Sequence, residues 1–425
     1  MYLYMIICII GSGGREHAIC KTISLSPKVN KIYCIPGNAG TQELAENVDL
    51  NINDFNKLLD FLRNSKIDLV IVGPEKPLVD GIVDFLEKNN IKVFGPRKIP
   101  SQLEGSKTFT KDICKKYNIP TAKFGIFETI NESINFLKKR NFPIVIKADG
   151  LASGKGVYIS KNINEAENAV NEIFKGKFGL ARKILIEEFL DGEEMSFFII
   201  CDGKNFKVFK TAQDHKKVNE GDEGKNTGGM GAYSPSGLIN ENLEKKIIKK
   251  IISPTLKAIE DMGEKYKGFL YAGLMIINNE PFLIEYNVRM GDPECQTILP
   301  LLKTDLVDIC EACCSENLKD LKIEWSKEKS LCIVLCSKGY PDKFENNIKI
   351  KNLNNLNLNK NDYIFHAGTK SKNNEIFSNG GRVLNFVSLS SSYINSRDRV
   401  IKLINLLNWK NGFFRKDIGF KIINK

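Results

Sequence analysis

With 425 residues, 42% of them hydrophobic and 27% charged, the chain is too long for one core and too apolar to be disordered, and about three domains are expected. No apolar run approaches the roughly 18 residues of a membrane span. The apolar start, Met1 to Ile10, runs straight into Gly11-Ser12-Gly13-Gly14, with no basic segment before it and no small-residue cleavage site, so a cytoplasmic protein is expected. The net charge of +11 comes without a dense basic block or an aromatic-interleaved basic stripe, which argues against nucleic acid as a partner.

The opening hundred residues alternate strand and helix. Residues 5–10 read as a buried strand, and Phe55, Leu58, Leu59 and Leu62 place an amphipathic helix over 54–64. Asp68 to Val72 is a short strand ending at Gly73-Pro74-Glu75. Val79, Ile82, Val83 and Leu86 make a second helix, and Ile91 to Phe94 another strand. This alternation predicts a doubly wound parallel sheet, with ligands at the carboxyl ends of its strands. Further on, Ile144 to Lys147 is a strand, 163–175 a helix and Ile184 to Glu187 a strand. Met195–Cys201 and Phe206–Ala212 read as paired strands. A helix over 241–262 carries Pro254 and should kink there. Phe269–Ile277 and Phe282–Tyr286 form a hairpin around Asn278-Asn279-Glu280. Beyond 325 the pattern turns β-rich, with glycine turns at 338–341 and 379–382.

Several loops carry chemistry. Gly11-Ser12-Gly13-Gly14-Arg15-Glu16-His17 follows a strand and opens a helix, a setting that presents backbone N–H groups to a phosphate. It is not a dinucleotide loop: position 16 is Glu, and Lys31 to Pro36 lacks the acidic residue a ribose would need. The loop after Lys147, Ala148 to Gly156, resembles a P-loop only loosely, because Gly156 stands where Ser or Thr would hold a metal. It leaves Lys147 at a strand end and Lys155 at a flexible tip, able to neutralise two phosphates. In Glu285-Tyr286-Asn287-Val288-Arg289, strand alternation puts Glu285, Asn287 and Arg289 on one face. Glu and Asn offer oxygen ligands for magnesium held through phosphates, and Arg289 could stabilise a transferring phosphoryl group. The stretch 187–194 and the polar connection 213–233 are weaker signals. All three histidines, His17, His215 and His366, fall in polar, turn-like segments. Of the eleven cysteines only Cys310, Cys313 and Cys314 have metal-like spacing, and nothing nearby completes a zinc site.

These pieces together resemble the phosphoribosylamine–glycine ligases (glycinamide ribonucleotide synthetases) of the ATP-grasp superfamily. The match runs through GSGGREHA at 11–18, PGNAGT at 36–41, GPEKPLVDG at 73–81, LEGSKTFTK at 103–111 and VIKADGLASGKGV at 145–157. It continues in EEFLDGEEMSF at 187–197, QDHK at 213–216, NTGGMGAYSP at 226–235, IEYNVRMGDPE at 284–294, NGGRVL at 379–384 and FRKDIG at 414–419. Ser153 and Cys295 stand where Ala and Thr are common. The resemblance implies an N-terminal doubly wound α/β domain over 1–104 and an ATP-grasp main domain over 105–119 and 189–325. It also implies an ATP-grasp lid over 120–188 and a small, mixed, β-rich C-terminal domain over 326–425. It implies a monomeric enzyme of purine synthesis that uses ATP, with Mg2+ or Mn2+, to join glycine to 5-phosphoribosylamine through a glycyl phosphate. Carried over, Lys107, Lys147 and Lys155 meet the ATP phosphates, Glu187, Glu188, Phe189 and Leu190 frame adenine, and Glu193 takes the ribose. Glu285 and Asn287 hold the metal, and Arg289, Lys155 and Asp292 serve the chemistry. Gly13, Gly14, Asn38, Glu75, Asp214 and Lys216 face phosphoribosylamine, and Gly229 and Gly231 close over glycine or the intermediate.

Overall fold

In the computed structural model, which describes residues 4–151, 156–177, 179 and 182–424, the first sheet is parallel throughout. It holds β1 (Met5–Gly11), β2 (Val29–Pro36), β3 (Glu46–Asn47), β4 (Leu69–Val72) and β5 (Val93–Phe94) in the order β3-β2-β1-β4-β5. The chain leaves β1 in one direction for β2 and later returns to its other edge as β4. The crevice at that switch point receives two loops. One leads into α1 (Gly14–Ile23); the other is Gly73-Pro74, ahead of α3 (Glu75–Asp80). Helix α2 (Phe55–Asn64) buries Leu58, Leu59 and Leu62 as the periodicity predicts. The expected helix through Val79 and Leu86 is two, α3 and α4 (Ile82–Lys88), because Gly81 takes a left-handed φ of +96° between them.

After α5 (Lys98–Gly105) and α6 (Lys107–Lys116) comes a four-stranded sheet of order β6-β9-β7-β8. Its strands are β6 (Phe124–Phe127), β7 (Ile144–Ala148), β8 (Val157–Ser160) and β9 (Ile184–Glu188). It packs on α7 (Ile130–Leu137) and α8 (Ile163–Phe174) with a hydrophobic core of its own. A second antiparallel sheet holds β10 (Glu193–Asp202), β11 (Phe206–Val208), β16 (Lys267–Ile277) and β17 (Glu280–Asn287) in the order β11-β10-β16-β17. The regular β11 ladder ends at Val208, but the expected pairing carries on to Ala212: Phe209 N–H reaches Phe198 O at 2.8 Å, and Ala212 pairs antiparallel with Ser196.

The expected long helix is α9 (Glu241–Ile247) and α10 (Ser253–Asp261), joined by a π-helical turn at Ile248–Ile252. Pro254 has no N–H, and its ring would strike the carbonyl four residues back; the widened turn ahead of it relieves both. The last large sheet runs β12-β15-β18-β22-β19. Its members on that path are β12 (Gln213–Asp214), β15 (Gly231–Ser234), β18 (Lys329–Ser337), β19 (Asp362–His366) and β22 (Arg382–Ser390), and β23 (Gly412–Phe413) pairs with the end of β18. Two of its strands thus come from before residue 235. Between β12 and β15 lies the hairpin β13 (Lys217–Asn219) and β14 (Glu223–Asn226), and the hairpin β20 (Thr369–Lys372) and β21 (Glu375–Ser378) precedes β22. Helix α13 (Tyr393–Leu407) covers β18 and β22. The mixed α/β fold read from the sequence is the one observed, with a parallel sheet first and a β-rich portion last.

Candidate active site

These sheets meet around a cavity of about 630 Å³. Helix α6 starts at its wall. Ser106 Oγ caps it by accepting Phe109 N–H at 3.1 Å. The Asp149 carboxylate, in the loop after β7, accepts Thr108 N–H at 3.1 Å and the Thr108 hydroxyl at 2.9 Å. That tie sets Lys107 in the first turn, its Nζ donating to Gly150 O at 2.9 Å. One turn on, Lys111 shares the helix face and pairs with Glu187. Lys147, at the end of β7, meets the same carboxylate at 2.5 Å. Burial pushes Glu187 up, but Lys147 and Lys111 more than offset it and hold the carboxyl below its ordinary range. Burial lowers Lys107 and Lys111.

Strand β17 forms the facing wall. Its ladder with β16 slips between Gly273 and Leu274, so Ile284 is an extra residue. The bulge lets Leu283 and Tyr286, three apart, both point into the core, each about 1–2% exposed. Beyond it, alternation carries Glu285, Asn287 and Arg289 into the cavity. The bulged Ile284 carbonyl accepts Lys147 Nζ at 3.5 Å. Arg289 is held at each of its three nitrogens: Nε donates to Glu75 at 3.2 Å, Nη2 to Glu104 at 2.6 Å and Nη1 to Met290 O at 3.2 Å. Glu75 titrates down at about 2, chiefly because of Arg289, with Arg15 adding to it. Glu104 is pushed up to about 7 by burial, against the pull of Arg289.

Lys216 stands 3.0 Å from Glu194 and 3.6 Å from Glu285. Beside it, Asp214 Oδ1 is buried without a hydrogen-bond partner among the described residues. Burial and the nearby Glu294 raise the Asp214 carboxyl well above its ordinary range. Gly229 backs onto it with a left-handed φ of +111°; a β-carbon there would stand 2.7 Å from Asp214 Oδ1 and 2.5 Å from Pro293 Cδ. Asp292 accepts Arg15 N–H at 3.2 Å and Gln296 Nε2 at 2.7 Å, and pairs with Arg382 at 3.3 Å. Arg382 Nη1 also donates to Gly228 O and Asp292 O, both at 2.5 Å.

No cluster of three or more His, Cys, Asp or Glu side chains arranged for a metal exists among the described residues. A cation here would rest on two protein oxygens and complete its shell from phosphate and water, which is the usual manner of magnesium. The pair on β17 fits. Burial pushes Glu285 up, yet Lys216, Lys147 and Lys107 draw it below its ordinary range, so it is an ionised oxygen donor beside the Asn287 amide.

Models of the phosphoribosylglycinamide synthetase family match three consecutive stretches: its N domain at residues 5–104, its ATP-grasp (A) domain at 105–295 and its C domain at 330–421. The chain belongs to the phosphoribosylglycinamide synthetase family. The phosphoribosylamine–glycine ligase of Caldanaerobacter subterraneus is 45% identical over 417 residues, covering 98% of this chain and 99% of that protein. The one from Brucella melitensis is 42% identical over 422 residues and 99% of each. The crystal structure of the Thermotoga maritima phosphoribosylamine–glycine ligase superimposes with a TM-score of 0.85 at 33% identity, over 97% of this chain and 100% of that one. The biotin carboxylase domain of Hydrogenobacter thermophilus 2-oxoglutarate carboxylase shares the fold, with a TM-score of 0.70 at 16% identity over 95% of this chain and 90% of that one.

Within this synthetase fold the cavity brings together Lys107, Lys147, Glu187, Glu188, Phe189 and Leu190 from the nucleotide set. It also gathers Glu285, Asn287, Arg289, Asp292, Glu75, Asp214 and Lys216. Lys155 lies outside the described residues. Glu193 sits between Gly192 and Glu194, which line the cavity while its own side chain does not. Gly13, Gly14, Asn38, Gly229 and Gly231 are not among the residues that line the cavity. Gly13 N–H is held by Glu16 Oε2 at 2.6 Å. The Asn38 amide pins loops, donating to Ser12 O and His366 O at 2.9 Å and accepting Gly40 N–H at 2.8 Å.

The three histidines are core residues despite their polar neighbours in sequence, between 2% and 6% exposed. His17 Nδ1 accepts His366 N–H at 2.8 Å, and His215 Nε2 accepts Gly419 N–H at 3.0 Å. The Cys310, Cys313 and Cys314 trio lies on α12 (Leu306–Cys314), with burial raising all three thiols. Arg15, Glu104, Lys111, Glu194 and Arg382 also line the cavity, beyond the residues that the sequence motifs single out. The Lys107–Lys111 spacing of four was a readable signal for one of them; Glu104 and Arg382 reach the cavity only through long-range packing.

Proposed function

We propose that the chain joins the carboxylate of glycine to the amine of 5-phosphoribosylamine, converting ATP to ADP and phosphate and giving glycinamide ribonucleotide for purine synthesis. The observation that carries this reading is the convergence, on one cavity, of Lys107 and Lys147 with the Glu285–Asn287–Arg289 face and with Glu75, Asp214 and Lys216. Membership of the synthetase family supports the choice of substrates.

A bare carboxylate is a poor acyl donor because oxide does not leave. In the first step a glycine carboxylate oxygen attacks the γ-phosphorus, the bond to the β-phosphate oxygen breaks, and ADP departs. In the second, the ribosylamine nitrogen attacks the glycyl carbonyl, the acyl carbon–oxygen bond breaks, and phosphate leaves. One hard step becomes two easier ones. Phosphoryl transfer asks chiefly for positioning and charge neutralisation. Lys107, Lys147 and Lys155 neutralise the phosphates, and Arg289 faces the transferring group. The apolar wall of Val145, Leu185 and Leu283, with Glu187 to Leu190 at its edge, takes the adenine. Glu285 and Asn287 hold Mg2+ or Mn2+, which supplies positive charge to the phosphate oxygens. The attacking amine sheds a proton as the amide forms, and Asp214, with its unpartnered oxygen and raised titration, receives it. Gly229 and Gly231 let the backbone close on this end of the site, and Asp292 orders the 291–294 turn beside it.

The test uses glycine labelled with 18O in its carboxylate. One labelled oxygen per turnover should appear in the released phosphate, and phosphate release should require both glycine and phosphoribosylamine. Unlabelled phosphate would overturn the acyl-phosphate route, and turnover with bicarbonate in place of glycine would overturn the substrate assignment.

A further inference from the structure

An ionic cluster centred on the buried Arg415 flanks the cavity, where Asp222 and Lys421 reach its lining, and takes no part in the steps above. Alternation along 214–216 sends Asp214 and Lys216 into the cavity and His215 the other way. Because Gly419 N–H donates to His215 Nε2, the ring proton sits on Nδ1, which faces Asp222 Oδ1 at 3.2 Å. Arg415 is fully buried at that point. Its Nη1 donates to Asp222 Oδ1 at 2.8 Å and to Lys217 O at 2.9 Å. Its Nε and Nη2 clasp Asp417 at 2.8 and 2.7 Å, and Asp417 in turn accepts Gly221 N–H at 2.8 Å. Lys421 closes on Asp222 at 2.6 Å.

Residues 415–421 therefore grip the 215–222 turn through side chains and backbone alike. The turn needs a grip. Gly221 and Asp222 both have left-handed φ, +72° and +56°. The hairpin whose strands they connect is three residues against four with a register slip, too short to hold itself. Its return leg brings Thr227 back, where both its N–H and its hydroxyl donate to Lys216 O at 2.8 Å. A buried guanidinium is costly to desolvate, and an apolar plug would stabilise the fold as well or better. What the charged cluster adds is a fixed geometry for the segment whose other face carries Asp214 and Lys216.

We propose that Arg415 is a positioning residue for the amine substrate, holding the 213–228 segment through Asp222, the Lys217 carbonyl and Asp417 so that Asp214 and Lys216 keep their places in the cavity. The kinetic part rests on the phosphoribosylamine reading; the clamp itself does not.

The full chain carrying Arg415→Met is compared with wild type and Arg415→Lys. Expected for Arg415→Met is a fall of about thirtyfold or more in kcat/KM for phosphoribosylamine, with KM for ATP held within about twofold. Hydrogen exchange of amides 214–230 should rise about tenfold or more while β1 and β4 stay protected. Arg415→Lys should recover part of both, since an ammonium reaches Asp222 without the fork on Asp417. Equal losses for all substrates in proportion to unfolded protein, or unchanged exchange at 214–230, would overturn the proposal. Should Arg415→Met fail to fold, Asp222→Asn replaces it, with the same selective pattern expected and the same outcomes against it. If wild type shows no glycine- and phosphoribosylamine-dependent turnover, the substrate reading fails, and the exchange measurement alone decides the clamp.

Discussion

His17 and His366 are held neutral in the core, their rings 5.6 Å apart, titrating at about 3 and about 4 because burial disfavours the imidazolium. Both values lie below the ordinary 6.5, so the unfolded chain binds the extra protons first. Stability from the pair is complete above pH 6.5 and is lost as pH falls toward the folded values. The slope approaches about 2.7 kcal/mol per pH unit near pH 5, where two protons separate the states. Denaturant unfolding of wild type and His17→Asn between pH 7 and 4.5 should show this: the variant loses about half of the slope that this pair supplies. Equal slopes would mean that the acid sensitivity lies elsewhere. At the same scale, Glu104 bridges Val288 N–H, at 2.8 Å, to Arg289. A glutamine keeps one acceptor there and turns an N–H toward one of the two donors. Glu104→Gln should therefore cost kcat about 10- to 100-fold by loosening Arg289, with KM for ATP far less changed, as steady-state kinetics would read.

At the scale of elements, the loop from β14 to β15 works by close approach, and Gly229 is where it is closest. A side chain would need both a disfavoured φ and space that Pro293 and Asp214 occupy. Gly229→Ala should destabilise by about 1–3 kcal/mol and lower kcat/KM for phosphoribosylamine, measured by denaturation midpoints and kinetics. Elements were legible in the sequence where one local period dominates. The α2 stripe and the β17 face are examples, and the face carries Glu285, Asn287 and Arg289 to one cavity as alternation requires. The π-turn before Pro254 and the break at Gly81 needed backbone detail that hydrophobic pattern does not hold, although each breaker residue was visible. The histidines read as loop residues because burial of His17 comes from strand β19, almost 350 positions away in the chain. Glu104 and Arg382 escaped for the same reason: their partners are set by packing between sheets, and no spacing along the chain encodes it.

At the scale of the molecule, two kinds of attachment stand side by side. The β6–β9 sheet with α7 and α8 has a hydrophobic core drawn wholly from its own residues, Leu137 to Ile186 among them. The C-terminal sheet is built differently. Strand β15 pairs with β18 from Gly231↔Ile333 to Ser234↔Ser330, and one core cluster runs from Met5 and Ile7 through Met230 and Tyr233 to Leu331, Phe386 and Ile418. A chain ending at residue 325 would keep β15 and β12 but lose β18 from the other edge of β15. It would also bare Met230 and Tyr233, now 0% and 1% exposed. It would lose Arg382 from the cavity wall and Arg415 from its flank. An unpaired apolar edge is a template for association, so the 1–325 fragment should aggregate or bind a hydrophobic dye, and show no ligase turnover. The full chain should unfold this sheet and the parallel sheet in one transition, followed by hydrogen exchange at β18 and β1 under increasing denaturant. A soluble, dye-free fragment with native exchange at β15 would show that the shared sheet is dispensable. In that event the cavity's C-terminal wall would be an addition to a site complete without it.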